Sequence, residues 1–376
     1  MTLKESPIFD PLARESKRLS PHWQWGLIII GLALSIAVAL LSPSILSDEF
    51  RYDAGTILKV GNTPPDQRKG DEGSFAVIAD FYRVFGMLNH PSIAAIFGVV
   101  LGTIVLALAI WRAGGLKLNF WTLGICAAAF FLNGVFLGQL TKEVMIALLV
   151  GLMLALPRGL WYEIGIGAAI LIVAIEFRNY WALLLVIYAV VRLFPPAGVV
   201  VRGKHFQYEK PWVFVSLLAL ASIGLSIVIA VFTGDGGDHF RTTVNQWRQD
   251  DGSTATIIRQ YVHVWTPLDG VLNNLITTFF LVVPVPLLIL LKPYYVASAL
   301  LMTTLWTCFL AGYVKLLHGR DVWARRAFAV MAGFLIVQGV FEPDFGSALR
   351  HLVPMIPMLL LLQSFTVADA PNKEDA

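Results

Sequence analysis

The chain has 376 residues, of which 57% are hydrophobic and only 14% charged, and its mean hydropathy is +0.71. A soluble domain carries roughly a quarter charged residues, so the composition excludes that class and points to a polytopic membrane protein. The formal net charge of +3 is too small and too dispersed to suggest a nucleic-acid partner.

Helices need about 20 apolar residues to cross the hydrocarbon, and the period-two alternation of a membrane barrel is absent. The expected fold is therefore all-α, a polytopic transmembrane helix bundle of about 10–11 spans with two long extracytoplasmic loops. The expected spans are 25–46, 91–111, 119–138, 143–157, 160–176, 180–194, 211–233, 271–291, 294–315, 327–341 and 349–364. They form one transmembrane domain, 25–364, between a polar 1–24 segment and a polar 365–376 tail. The first run is too long and too far in for a cleavable signal peptide, so it reads as a retained helix. Cys126 and Cys308 lie inside apolar runs, where packing is a better reading than a disulfide or a metal pair.

Lys and Arg accumulate in cytoplasmic loops. Lys4, Arg14, Lys17 and Arg18 put the N-terminus inside, and Arg192, Arg202, Lys204 and Lys210 against Glu209 put the 192–210 connection inside as well. The segments 47–90 and 234–270 are then extracytoplasmic. If 271–291 and 294–315 both crossed, Lys315, Arg320, Arg325 and Arg326 would face out, against the rule. Pro284, Pro286 and Pro293 interrupt a helical hydrogen-bond ladder. A re-entrant or interfacial segment over 271–293 repairs the count and turns FEPDFGSALRH (341–351) outward.

On this topology the unusual ionisable residues gather at the outer face, where charges are costly unless paired, hydrated or engaged with a ligand. Asp48, Glu49 and Arg51 follow the first span, Lys142 and Glu143 the third, and Arg178 the fifth. Arg241, Trp247 and Arg248 lie in the long loop, and Asp344, Arg350 and His351 precede the last span. Each has an ordinary alternative. Arg178 can snorkel or pair with Glu176. Asp48 and Glu49 can be a solvated helix exit. Thr141 can cap a helix opening at Glu143. Arg350 can pair with Asp344 in a turn. The sharper reading has Ser347 cap a helix opening at Ala348, with Arg350 and His351 in a first turn that favours an anion. An arginine fork matches phosphate oxygens, and a histidine exchanges protons near neutrality. Aromatic rings interleaved with arginines in 234–270 suit sugars and phosphate.

The SDEFRYD exit (47–53), LTKE (140–143), FRNYW (177–181), the arginine-bearing loop and PDFGSALRH (343–351) together resemble the bacterial Wzy/EpsG-like polysaccharide polymerases, as a layout of loose motifs over most of the chain. The resemblance implies a GT-C-like scaffold in the bacterial inner membrane. It implies joining of undecaprenyl-pyrophosphate-linked oligosaccharide repeat units at the outer face, without metal or cofactor. A flippase and a chain-length regulator are the implied partners besides the bilayer. By position, Arg178, Arg241 and Arg350 suit the pyrophosphate, with Arg51, Arg248, Trp247 and Asp344 around the substrate. His351, Glu143, Asp48 or Glu49 suits activation of the acceptor hydroxyl. The competing readings are a GT-C glycosyltransferase or ligase using a polyprenyl-phosphate sugar, and a polysaccharide or lipid transporter. Transporters commonly carry repeated halves, which this chain lacks.

Overall fold

The computed structural model describes residues 18–46, 48–68, 73–193, 199–201, 204–206, 211–250, 256–266, 268–317 and 322–364. In chain order the helices are α1 (Pro21–Ile45), α2 (Tyr52–Asn62), α3 (Gly73–Val84), α4 (Pro91–Arg112), α5 (Phe120–Leu132), α6 (Glu143–Ala155), α7 (Leu160–Glu176) and α8 (Trp181–Leu193). A hairpin of β1 (Val199–Val201) and β2 (Lys204–Phe206) precedes α9 (Pro211–Thr233), α10 (His239–Asp250), α11 (Asp269–Val282) and α12 (Val285–Ile289). The remainder is α13 (Pro293–Leu317), α14 (Val322–Phe341), α15 (Phe345–Leu352) and α16 (Ile356–Ser364).

The chain is an all-α polytopic helical protein. Among the described residues seven stretches are long and apolar enough to cross a membrane: Pro21–Ile45, Pro91–Arg112, Phe120–Leu137, Val215–Thr233, Pro293–Gly312, Val322–Phe341 and Phe345–Ser364. Glu143–Ala155, Trp181–Arg192 and Asp269–Val282 are shorter apolar helices. α1 leaves Ile30, Leu34, Leu41 and Ile45 exposed, as a helix facing hydrocarbon does. At the opposite extreme every residue of α16 is buried, against α4, α5, α13 and α14. α15 and α16 are thus a central post inside the ring of other helices.

Close backbone approaches set where the helices end. α5 starts with Asn119 accepting the Thr122 N–H at 2.9 Å and finishes in a π-helical turn, Asn133–Leu137. A side chain at Gly98 of α4 would stand 2.0 Å from the Leu137 carbonyl, and one at Gly138 would stand 2.4 Å from Ala39 Cβ of α1. Small residues here let α1 and α4 close on the π turn, which delivers residues 138–142 to the start of α6.

Between α1 and α4, where the sequence places a long connection, α2 and α3 pack together with their own core. Ile57 and Val60 of α2 meet Ile78, Ala79 and Tyr82 of α3 and Leu88 after it. Tyr82 donates its hydroxyl to the Thr141 carbonyl (3.0 Å) and accepts the Thr141 N–H (3.2 Å), so α3 is pinned to the approach to α6.

Arginines tie the two ends of the bundle differently. At one end Arg326 of α14 reaches Glu163 of α7 (3.0 Å) and the carbonyls of Met153 and Pro157 (3.0 and 2.7 Å), where α6 stops. Arg192 and Tyr188 of α8 join the same carboxylate, and Arg112 of α4 bonds the Leu154 and Ala155 carbonyls. These arginines satisfy carbonyls that a helix C-terminus leaves open. At the other end the Tyr294 ring, in the first turn of α13, lies 6.4 Å from the Phe50 ring that follows α1. Gln363, at the far end of α16, bonds the Cys308 carbonyl of α13. α11 and α12 therefore leave from and return to the same end, around Pro284 and Leu291, whose φ of +53° reverses the chain.

Candidate functional site

Where α1, α7 and α14 end and α6 and α15 begin, residues distant in sequence bring charges into one buried cluster. Glu143 is fully buried in the first turn of α6, its N–H held by Thr141 Oγ1 at 3.3 Å. Arg178, in the turn between α7 and α8, donates to Glu143 Oε1 at 2.6 Å. Arg350 of α15 places Nη1 3.2 Å from Asp53 Oδ1 of α2 and Nε 3.9 Å from Glu143 Oε1. His351 has Nε2 3.6 Å from the same Glu143 oxygen and Nδ1 2.9 Å from Glu342 Oε2. Gln338, one turn back on α14, donates to Glu342 Oε2 at 3.3 Å and to the Ala348 carbonyl at 3.2 Å. The result is a chain Glu342–His351–Glu143–Arg178, with Arg350 and Asp53 alongside.

Buried charges persist when they are matched, and here Asp53, Glu143 and Glu342 face Arg178, Arg350 and Lys142. Lys142 sets its ammonium 3.5 Å from the centre of the Phe75 ring. Burial pushes that ammonium down to about 8, Arg178 and Arg350 push the same way, and Asp53 and Glu143 oppose them. The Tyr180 ring stacks on Phe341 at 5.2 Å, and Phe240 of α10 lies 5.6 Å from Phe341. Glu143 Oε2, Asp53 Oδ2 and Arg350 Nε of the cluster are buried without a hydrogen-bond partner. Such atoms cost stability unless something else meets them. Among the described residues no group of three His, Cys, Asp or Glu is set to hold a metal ion.

Of the residues singled out from the sequence, Glu143, Arg178, Arg350 and His351 come together. Arg178 pairs with Glu143 rather than Glu176, and Arg350 with Asp53 rather than Asp344. The expected helix start at Ala348 is corrected. Asp344 is the cap, its Oδ1 accepting the Ser347 N–H at 2.7 Å and its Oδ2 the Ser347 hydroxyl at 2.6 Å. α15 begins at Phe345, whose N–H goes to the Thr256 carbonyl, so Arg350 and His351 stand in its last turn. The positive helix end is met by a carboxylate of its own chain.

Arg241 lies apart from the cluster. It is fully buried, bonding the Gly339 carbonyl at 3.2 Å, with Asp238 at 3.7 Å. Asp238 in turn accepts from Gln260 and Asn273, which makes Arg241 part of the packing between α10 and α11. Arg51 borders a separate groove. Asp48 and Glu49 open a 3-10 turn and Trp247 and Arg248 sit in α10, but their side chains lie outside the described residues. Lys142, noted beside Glu143 in the sequence, joins Glu143, Arg178, Arg350 and His351, and Asp53, Glu342 and Tyr180 complete the cluster without having been singled out as site residues. Glu342 stands beside Pro343 in the same conspicuous segment as His351, and that was the available signal.

Compared with known proteins, the chain matches no family model, no curated protein and no solved structure.

Proposed function

We propose that the protein is a metal-independent glycosyltransferase of the polysaccharide-polymerase kind, joining undecaprenyl-pyrophosphate-linked oligosaccharide units at the outer face of a bacterial inner membrane. The observation that carries this reading is the Glu342–His351–Glu143 chain beside two arginines, buried at one end of an apolar bundle. His351 Nδ1–H donates to Glu342, which leaves Nε2 to take the proton from an acceptor sugar hydroxyl. The freed oxygen attacks the anomeric carbon of the donor, and the bonding electron pair leaves with the lipid pyrophosphate. Arg350, with Nε unpartnered, meets charge developing on that leaving group. Tyr180, Phe341 and Phe240 offer ring faces for the apolar side of a sugar.

The same reading makes the scaffold GT-C-like, with the outer helices α2, α3 and α10 on the catalytic side. It takes the shorter α6, α8 and α11 as part of the membrane domain and 271–293 as a re-entrant segment. Support comes from the shared end at which α11 leaves and α13 starts. Arg112, Arg192 and Arg326 also gather at the opposite end, as a cytoplasmic face requires.

The test is polymer produced in cells carrying variants that still reach wild-type protein levels. Arg350→Ala abolishes polymer and accumulates single lipid-linked repeats; full-length polymer from that variant removes Arg350 from the reaction. His351→Ala lowers the rate by about 10²–10⁴-fold. Glu342 acts through His351, so Glu342→Gln lowers kcat with KM unchanged and Glu342→Asp restores part of the loss. Equal losses in kcat and substrate affinity for both Glu342 variants would leave Glu342 a merely structural residue.

A further inference from the structure

A groove of about 510 Å³ runs between α1, α2, α4 and residues 138–140, on the other side of α2 from the charged cluster. Leu40 and Pro43 of α1, Leu58 of α2 and Ala95 of α4 give it apolar walls, and Arg51 and Lys59 border it. Leu40 is half exposed and its neighbours Leu41 and Ile45 are more so, which opens the groove on the hydrocarbon-facing side of α1.

Charge separates this groove from the cluster. Arg178 and Arg350 face the buried carboxylates Glu143 and Asp53 of the cluster. Neither Arg51 nor Lys59 has an acidic oxygen within ion-pair distance among the described residues, and Lys59 is exposed. Two cations with no ion-pair partner among the described residues, beside an apolar groove, complement an anion with a hydrocarbon tail. Gln139, on the groove wall, holds its amide nitrogen to the Phe50 and Val135 carbonyls, and its Oε1 has no partner. The groove and the cluster are built from the same two pieces of chain. Arg51 and Asp53 stand two residues apart at the start of α2, and Gln139 leads directly to Glu143.

We infer that this groove is the loading site for the lipid of the substrate, a polyprenyl pyrophosphate, with its hydrocarbon along Leu40, Pro43 and Ala95 and its phosphates first met by Arg51 and Lys59 before the headgroup passes to Arg350. The inference rests on the glycosyl-transfer reading and adds to it the route by which the lipid arrives. The sugars of a headgroup held at Arg51 point past α2 toward Asp53 and Arg350, and ordinary phospholipid has nothing to place there.

The experiment uses the purified full chain in phosphatidylcholine nanodiscs, with undecaprenyl pyrophosphate as the probe and binding read by native mass spectrometry. Arg51→Gln combined with Lys59→Gln weakens binding at least about tenfold through loss of two charge-assisted contacts. Leu40→Trp, which fills the groove without touching a charge, weakens it too, and Arg158→Gln leaves it unchanged. Unaltered binding in both groove variants overturns the proposal. So does equal competition by phosphatidylglycerol, which marks an ordinary anionic-lipid surface, or full displacement by inorganic pyrophosphate, which marks a phosphate site with no lipid component. Binding and polymer synthesis fail separately. A wild-type protein that binds no probe while cells make polymer retires the groove alone. Polymer that persists without the protein retires the glycosyl-transfer reading alone.

Discussion

At the scale of single residues, Lys142 carries a charge that its surroundings disfavour. Its ordinary value of 10.5 falls to about 8 in the fold, chiefly through burial. Below about pH 8 both the folded and the unfolded chain hold the proton, and the cost of burying the ammonium is complete. Between about 8 and 10.5 the unfolded chain binds more protons than the folded one, so stability rises with pH across that window. Thermal denaturation in detergent therefore shows the advantage of Lys142→Met over wild type shrinking from pH 7 to pH 9.5. A gap that stays constant with pH would mean that Lys142 keeps its proton throughout. The same scale shows why parts of the site escaped the sequence. Glu143, Arg178, Arg350 and His351 are conspicuous because they interrupt or adjoin apolar runs. Asp53 is one acid among several between α1 and α4, and only the position of α15 in space distinguishes it from Asp66 or Asp80. Arg241 stands away from the cluster, with Nη1 on the Gly339 carbonyl and Asp238 3.7 Å from the guanidinium, a position that its sequence neighbourhood does not reveal.

At the scale of elements, boundaries were legible where a backbone constraint coincides with a change in polarity. The expected 160–176 and 211–233 are α7 and α9 themselves, α7 being set off by Gly159 at a φ of +147° and α9 opening on Pro211. α2 and α3 were not legible as helices, because each is short and half polar and finds its apolar partners only in the other and in distant residues such as Ala94 and Leu140. The arginine knot at the far end of the bundle was equally hidden, since carbonyls at the end of α6 carry no side-chain signature. Arg326→Met leaves Glu163 with Arg192 and Tyr188 but abandons those carbonyls, at about 1–3 kcal/mol for each buried group left unpaired. The denaturation midpoint falls by several degrees, while activity measured at low temperature survives because the knot lies at the end opposite the cluster. Loss of activity at wild-type protein levels and low temperature would show the two ends to be coupled.

At the scale of the whole molecule, the orientation of α11 and α12 decides which segments share a compartment. The proposed topology sets Tyr52, Leu291 and Trp265 on one side and Arg158 on the other, all of them exposed. Single substitutions Tyr52→Cys, Leu291→Cys and Arg158→Cys, with the buried Cys126 and Cys308 retained, separate the cases by labelling with a membrane-impermeant thiol reagent. The first two label from outside intact cells and the third only after permeabilisation. Outside labelling at position 158, or protection at 291, would reverse the arrangement.

The central post has a further consequence for how the protein is made. α15 and α16 follow, in chain order, every described helix that surrounds them, yet they fill the middle of the ring. The surrounding helices must therefore enter the bilayer and wait, with lipid or loose packing where the post will stand. Until then Asp53 has no Arg350 and Glu143 has no His351, so the charges that define the site remain partly unmatched. Ribosomal synthesis orders the events accordingly: the last helix in completes the packing and pairs the charges of the cluster in a single step, and a chain stalled before residue 345 is a shell without its post.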